Sequence, residues 1–202
     1  FRSYKVNHQV AILLQDGTSA KTTTDLQFSA TPFAINCWFN YTQAGDIITI
    51  GNANNKLIIG LNNTGQLIFT RNQQTNTSIN SIPHDKWGFL SIAYDTVSGG
   101  IFTADYIVDD QVVNLFDALA IGKCNSVKSP MILGGNLTAM MHELTIWNYA
   151  RSIEEAQSEM YTAKNASTAH LVCYWRMDEG YGNMAEDIAQ GHHLILPNEY
   201  AW

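Results

Sequence analysis

Apolar and polar residues alternate with a period of two along much of the chain, a pattern typical of β-strands with one buried face. The clearest case begins at Phe33. Every second residue from there is expected to enter a core, while the residues between them form the opposite face. The core-facing set is Phe33, Ile35, Cys37 and Phe39, and the opposite set is Ala34, Asn36, Trp38 and Asn40.

More strands are predicted where runs of β-forming residues lie between turn residues such as Gly, Asn and Asp. These runs cover residues 10–14, 22–28, 46–51, 56–61, 66–70, 87–95 and 101–108. The segment 73–81 is polar, and we predict a loop or an edge strand there. Residues 115–129 are interpreted as a long connection.

A further alternating stretch covers residues 140–147, and a helix is predicted after it. One predicted face of this strand holds Met140, His142, Leu144 and Ile146, and the other holds Met141, Glu143, Thr145 and Trp147. Ser152 and Glu155 have the spacing of a capping box, in which each side chain bonds the backbone N–H of the other residue. The helix is expected to bury Ala156, Met160 and Ala163.

Many short alternating strands, frequent turn residues and a single helix predict an all-β fold. The predicted architecture is a two-sheet antiparallel jelly-roll sandwich with one short helix near the C-terminal third. A chain of 202 residues suits one large sandwich, so residues 1–202 are interpreted as a single domain.

The composition predicts a globular core with a neutral polar surface, since 46% of residues are hydrophobic and only 14% are charged. The net charge is −7 and no cluster of Lys or Arg interrupts it, so we expect no binding to nucleic acid. No apolar run reaches the length of a transmembrane segment. The three cysteines are few and far apart, which favours buried thiols for Cys37 and Cys173 over a disulfide framework.

Three motifs carry a resemblance to a known family. The run His142-Glu-Leu-Thr-Ile-Trp-Asn-Tyr-Ala-Arg-Ser-Ile-Glu-Glu155 follows a pattern usually written Asp-Glu-Val-Arg-Ile-Trp, with His142 in place of Asp. Trp87 opens a strand that ends in Tyr-Asp95, and the third motif is His170-Leu-Val-Cys-Tyr-Trp-Arg-Met-Asp-Glu-Gly-Tyr-Gly182. The chain therefore resembles laminin G-like domains of the concanavalin A-like lectin and glucanase superfamily, which has the pentraxin type of jelly roll.

The third motif opens a domain in many members of that family. In this chain it lies near the C-terminus, so residues 170–202 either close the sandwich or begin a following repeat. We favour closure, because an unpaired strand here would expose apolar edge surface.

Carbohydrate binding is what the resemblance most often implies for members without catalytic residues. Sugars are held by an aromatic face together with hydrogen bonds from planar polar groups. Asn36, Trp38 and Asn40 offer this composition on one strand face, and they are the predicted ligand-binding residues. The alternative is that another layer of the fold covers Trp38. Loops at residues 52–55 and 73–77 are further candidate ligand contacts.

The resemblance also implies that a structural calcium ion is possible, held by loop carbonyls and a strand carboxylate. His142 replaces that carboxylate here, so the candidate metal ligands are Asp178 and Asp187. The alternative is that these two side chains cap turns.

Glucanases of the superfamily cleave sugars with paired carboxylates, which lie about 5 Å apart in a retaining mechanism. Glu143 has no second acid at a suitable spacing, so no catalytic residue is assigned. We therefore predict a non-catalytic carbohydrate-binding or adhesion module of a larger exported protein, secreted or on the cell surface. Its partners would be a glycan or protein ligand and other domains of the same polypeptide. A structural spacer without a ligand is the alternative, and a glucanase-type glycoside hydrolase is disfavoured.

Overall fold

The computed structural model describes residues 10–15, 17–28, 31–52, 55–71, 73–123, 126–197 and 202. Its strands are, in chain order, β1 (Ile12–Leu14), β2 (Ala20–Thr22), β3 (Leu26–Phe28), β4 (Phe33–Gln43), β5 (Asp46–Asn52), β6 (Asn55–Leu61), β7 (Gln66–Arg71), β8 (Gln74–Ser81), β9 (Gly88–Asp95), β10 (Ile101–Val108), β11 (Gln111–Ala120), β12 (Val127–Ser129), β13 (Met131–Leu133), β14 (Thr138–Trp147), β15 (Leu171–Trp175), β16 (Met184–Ala185) and β17 (Leu194–Ile195). Helix α1 spans Ile153–Glu159, and a 3-10 turn spans Val97–Gly99.

Two large antiparallel sheets form the sandwich. The front sheet has the strand order β1-β14-β4-β9-β10-β11, and β15 also pairs with β14. The back sheet has the order β16-β17-β2-β13-β5-β6-β7-β8, and β12 pairs with β3 as a small additional ribbon. This arrangement confirms the predicted all-β sandwich with one helix.

Apolar side chains from both sheets fill the space between them. Phe33, Ile35, Cys37 and Phe39 of β4 all belong to this core, as their alternation predicts. Ile50, Ile59 and Phe69 contribute from the back sheet. Cys37 and Cys173 are buried free thiols, which confirms their predicted role, while Cys124 lies outside the described residues.

A β-bulge at Glu143 interrupts β14 and changes which side chains face the core. Glu143 has a φ of 54°, and the pairing with β4 shifts between His142 and Thr145. One extra residue moves the alternation by one position. Met141 and Leu144 therefore both enter the core, whereas His142 lies on the outer face beside Trp38. The prediction that Met140, His142, Leu144 and Ile146 share one face is wrong for this reason.

The outer face of the front sheet is covered by two apolar clusters. In the first, Ala156 of α1 and Met160 pack against Trp38, Phe89 and Ile107. The second joins Ala34, Ala93, Trp147, Leu171 and Tyr174. On β4, Asn36 lies in the row between these clusters, level with Ser91 of β9 and Thr145 of β14.

Helix α1 begins where the capping box predicts. Ser152 Oγ accepts a hydrogen bond from the Glu155 N–H at 3.2 Å, and Glu155 Oε2 accepts one from the Ser152 N–H at 2.9 Å. Ala156 and Met160 are buried as predicted. Ala163 is exposed, so its assignment to the buried stripe is wrong, because the helix ends at Glu159.

Several other segments refine the predicted strands. The run 22–28 is divided between β2 and β3, and 73–81 contains the edge strand β8, one of the two predicted alternatives. The predicted connection at 115–129 is wrong at both ends, because β11 continues to Ala120 by pairing with β10 across a shifted register, and Val127–Ser129 form β12. Within the described ranges, no helix is long and apolar enough to cross a membrane.

Residues 170–202 contribute strands to both sheets. β15 pairs with β14 of the front sheet, and β17 pairs with β2 of the back sheet. The limits of the domain at residues 1 and 202 stay a prediction.

Candidate functional site

The three predicted ligand-binding residues lie on the outer face of β4, and all three are buried. Their exposed fractions are 2% for Asn36, 6% for Trp38 and 5% for Asn40. The alternation along β4 sets these residues opposite the core-facing ones. This face is therefore closed to solvent in the structure.

The residues at the end of α1 cover the Trp38 ring. Trp38 Nε1 donates a hydrogen bond to the Met160 carbonyl at 3.1 Å, and the ring centre lies 5.5 Å from those of Phe89 and Tyr161. Another layer of the fold therefore covers Trp38, as the alternative interpretation of the sequence predicts. Ligand contact by Asn36, Trp38 and Asn40 stays a prediction, and it would require α1 to move.

A short polar network joins three strands of the front sheet beneath this cover. Asn36 Nδ2 donates to Ser91 Oγ at 2.9 Å, and Thr145 Oγ1 donates to the Asn36 carbonyl at 3.3 Å. Trp147 Nε1 in turn donates to Thr145 Oγ1 at 3.0 Å. These bonds satisfy the Asn36 amide nitrogen and the Trp147 indole N–H inside an apolar layer, which is a structural role, while Asn36 Oδ1 has no hydrogen-bond partner among the described residues.

Glu143 lies in a half-buried polar cluster. Burial raises the pKa of the Glu143 carboxyl group, although the Tyr174 hydroxyl opposes this by donating a hydrogen bond to Glu143 Oε2. Burial lowers the pKa of Lys164, while the negative charges of Glu143 and Glu159 act against that shift. Glu143 is thus hydrogen-bonded to a phenol and lies near the charges of Lys164, Arg176 and Asp178, of which Asp178 is ion-paired with Arg176.

The two predicted metal ligands have different environments. Asp187 is buried and its carboxylate accepts four backbone hydrogen bonds, from the N–H groups of Tyr174 at 2.8 Å, Ala189 at 3.0 Å, Gln190 at 3.2 Å and His192 at 2.9 Å. Asp178 forms an ion pair with Arg176. In the part of the chain that the structure describes, no group of three or more His, Cys, Asp or Glu side chains is placed to hold a metal ion. Calcium binding by Asp178 and Asp187 stays a prediction.

An open cavity of about 630 Å³ lies at the rim of the sandwich, between the β7–β8 hairpin and the end of β11. We call it the rim cavity. It is lined by Phe69, Arg71, Gln74, Thr75, Asn76, Ala120, Ile121 and Lys123. Amide, hydroxyl and cationic groups therefore surround a smaller apolar portion.

The strand register explains why the rim cavity is polar. Asn76 pairs with Phe69, and Gln74 pairs with Arg71. Paired residues in an antiparallel ladder share a face, and Phe69 is fully buried in the core. Edge strand β8 thus carries amides on its core-facing side. An apolar residue at these positions would extend the core, whereas the amides leave a solvated recess.

Arg71 connects the two sheets across this rim. Its Nη1 donates to the carbonyls of Ile121 at 3.0 Å and Gly122 at 3.3 Å, and its Nη2 donates to the Lys123 carbonyl. Three bonds from one guanidinium fix the segment that follows β11 against β7. The wall of the cavity is therefore held in place before any ligand arrives.

Sequence patterns indicated only part of this cavity. The candidate loop at 73–77 contains three lining residues, Gln74, Thr75 and Asn76. The other candidate loop, at 52–55, includes residues 53 and 54, which lie outside the described residues. Arg71 and Lys123 were missed, because they are 52 positions apart and only the sandwich topology brings them together. The available signal was a polar edge strand in an otherwise apolar sheet.

The fold and the rim cavity define a two-sheet jelly roll of the lectin type with an open polar recess at one edge. A laminin G family model, described as the concanavalin A-like lectin/glucanases superfamily, matches residues 15–157. This match covers more than half of the chain, so the protein belongs to this family.

Solved structures with the same fold have low sequence identity to this chain. A Bacteroides ovatus ATCC 8483 protein to which carbohydrate binding is ascribed aligns with a TM-score of 0.63 and 14% identity, over 92% of this chain and 56% of that one. A native heptameric SAP-like pentraxin from Limulus polyphemus aligns with a TM-score of 0.54 and 10% identity, over 95% and 94%. No curated protein sequence matches. At these identities the likeness shows the fold alone.

Proposed function

We propose that this protein is a non-catalytic carbohydrate-binding module of a larger exported, cell-surface protein, and that the glycan binds in the rim cavity. The observation that supports this best is an open recess with amide, hydroxyl and cationic groups around it. Its volume of about 630 Å³ falls in the range of small-molecule sites, about 300–1,000 Å³.

The chemistry of the rim cavity suits sugar hydroxyls. The amides of Gln74 and Asn76 can both donate and accept hydrogen bonds, as a hydroxyl group also does. Lys123 is exposed and adds a donor at the entrance, and Ile121 adds an apolar surface for the C–H face of a ring. A sugar residue needs this mixture of groups.

The family context supports the same ligand class. Carbohydrate binding is ascribed to the Bacteroides ovatus protein that shares the fold. This chain spans 56% of that protein's length, so attachment to further domains is part of the proposal rather than a property of this chain alone. Export and surface display rest on the resemblance to laminin G-like domains.

Two features support a role without catalysis. Among the described residues that line the rim cavity, none is a carboxylate. Glu143 lies in β14 and is bound to Tyr174. A glycosidase places two carboxyl groups at the scissile bond. The acid near Glu143 is Asp178, which is ion-paired with Arg176, and this pairing argues against a catalytic pair.

A glycan array followed by isothermal titration calorimetry tests the proposal. We expect the array to give at least one bound glycan, and we expect Asn76→Ala to weaken its binding about tenfold through the loss of hydrogen bonds. Lys123→Ala should weaken it less, because Lys123 is exposed at the entrance. Lys128→Ala is the matched control, since Lys128 is exposed on β12, outside the cavity.

Other outcomes would identify the alternatives. An array without any bound glycan would leave a spacer or a protein-binding adhesion module as the function. Release of reducing sugar from laminarin that Glu143→Gln abolishes would show a glucanase.

A further inference from the structure

The charged side chains around the rim cavity are cationic. Among the described residues that line it, Arg71 and Lys123 are cations and none is Asp or Glu. The chain as a whole has the opposite balance, with 18 Asp and Glu against 11 Lys and Arg and a net charge of −7. The rim cavity is therefore a locally positive recess on an acidic protein.

The positive charge of Arg71 is bound by neutral groups. Its three hydrogen-bond acceptors are the backbone carbonyls of Ile121, Gly122 and Lys123. No ion pair in the described part of the chain includes Arg71 or Lys123. Carbonyl oxygens satisfy the N–H groups of a guanidinium, but they bring no formal negative charge. The cavity thus keeps two positive charges without a counter-charge.

The two cations belong to the same corner of the cavity. Arg71 Nη2 donates to the Lys123 carbonyl, so the guanidinium contacts the backbone of the residue that carries the second charge. Lys123 is exposed, and its ammonium group sits on a flexible four-carbon side chain. Like charges at short range repel one another, so an anion that binds at this corner would be favourable.

The rest of the lining distinguishes an acidic sugar from a free inorganic anion. Gln74 and Asn76 offer amide groups, and Ile121 offers a half-buried apolar surface. An inorganic anion needs neither the amide acceptors nor the apolar surface. A sugar ring with an acidic substituent uses all three kinds of group, since its hydroxyls bond amides and its C–H face packs on an apolar side chain.

We infer that the rim cavity selects an acidic glycan, and that a carboxylate or sulfate group of this glycan binds at the corner formed by Arg71 and Lys123. The inference rests on the proposed function, because it names the class of sugar that the same cavity binds. The ring hydroxyls bond the amides of Gln74 and Asn76. A neutral glycan would leave both cations without a counter-charge.

A glycan array with matched acidic and neutral probes gives the first test. It carries oligogalacturonates beside their methyl esters, and κ-carrageenan oligosaccharides beside their desulfated forms, so that carboxylate and sulfate are tested separately. Neutral cello-, manno- and xylo-oligosaccharides complete the array. We expect the bound glycans to carry a uronate or a sulfate group.

Calorimetry then tests the position of the acidic group. The acidic glycan with the strongest array signal and its methyl-esterified or desulfated counterpart are titrated into wild type, Lys123→Gln and Lys128→Gln. Lys123→Gln removes the charge at the cavity and keeps a hydrogen-bond donor. Lys128→Gln is the matched control, because it changes the net charge equally at an exposed residue outside the cavity.

We expect wild type to bind the acidic form about fivefold or more tightly than its neutral counterpart. One exposed ion pair accounts for up to about a fivefold difference. Lys123→Gln should therefore reduce the preference by about twofold to fivefold, while Lys128→Gln should leave it at the wild-type value. Affinity for the neutral form should be similar in all three proteins.

The possible failures can be told apart. Binding of neutral glycans alone, or equal affinity for both members of a pair, would overturn the acidic assignment while the rim cavity remains a glycan site. An equal loss of preference in both lysine variants would overturn the contact at the Arg71 and Lys123 corner. Absence of any bound glycan would remove the proposed function, and this inference with it.

Discussion

The outer face of β4 and the rim cavity carry similar side chains, but only the rim cavity is open. Asn36, Trp38 and Asn40 have the composition of a sugar site, yet they are no more than 6% exposed. Gln74 and Asn76 belong to a polar edge strand and line an open recess. The two surfaces differ in exposure because α1 and Met160 pack over Trp38, whereas the rim cavity is open. Composition alone therefore identifies polar surfaces, while the packing of α1 decides which of them a ligand can reach.

The largest expected effect is at the closed face. Trp38→Ala should lower the free energy of unfolding by about 3–5 kcal/mol, since it removes a buried ring from between α1 and the sheet. Urea denaturation measures this change. Glycan affinity of the folded variant should stay at the wild-type value. Loss of binding with unchanged stability would mean that Trp38 belongs to the site after all.

At Asp187 the contrast is between a structural role, in which the carboxylate accepts backbone hydrogen bonds, and binding of a calcium ion. Asp187→Ala should lower the free energy of unfolding by about 2–3 kcal/mol, because backbone N–H groups lose a charged acceptor. Thermal denaturation with and without a chelator shows whether calcium is also involved. We expect the wild-type Tm to be the same in both conditions. A fall in Tm on chelation that calcium reverses would support metal binding by Asp178 and Asp187 instead.

A smaller effect is expected at the cap of α1. Ser152→Ala should cost about 1 kcal/mol of stability through the loss of the capping box. Glycan affinity at the rim cavity should not change. Hydrogen exchange of the α1 amides provides the direct readout, and Ser158→Ala, near the other end of the helix, is the control. Weaker glycan binding in Ser152→Ala would show that α1 is coupled to the ligand site.

The smallest effect concerns Glu143 and pH. Burial raises the pKa of Glu143 in the folded state above its value in the unfolded chain. Between these two pKa values, the folded protein therefore binds more protons at Glu143 than the unfolded chain does. The stability that Glu143 contributes is therefore present below its ordinary pKa and declines as the pH rises through the raised one. We expect Glu143→Gln to gain stability relative to wild type as the pH increases from about 4 to 7. Glu186→Gln, at an exposed residue, is the control, and a pH-independent difference at Glu143 would contradict the account.

The sequence predicted the sheets well because alternation and burial are local properties. β4 follows its pattern without error, and the Ser152 cap marks the start of α1 correctly. The β14 faces were wrong because a single residue in the left-handed region, Glu143, shifts the register, and no local signal marks it. The prediction that Ala163 is buried was wrong because the helix ends at Glu159, and Met160 is the last residue of this segment that packs against the sheet.

The candidate site was harder to predict because it depends on contacts between distant strands. The segment 73–77 could be nominated from its polarity, but Arg71 and Lys123 become neighbours only when the back-sheet hairpin meets the end of β11. The covering of Trp38 likewise depends on Met160, which is 122 positions away in the sequence.

Hydrogen exchange with and without the selected oligosaccharide shows most directly whether a glycan contacts the rim cavity or the outer face of β4. We expect slower exchange of backbone amides in β8 and at residues 121–123 when the glycan is bound. Amides of β4 and α1 should exchange at the same rate in both states. Protection confined to α1 and β4, with β8 unchanged, would contradict the account.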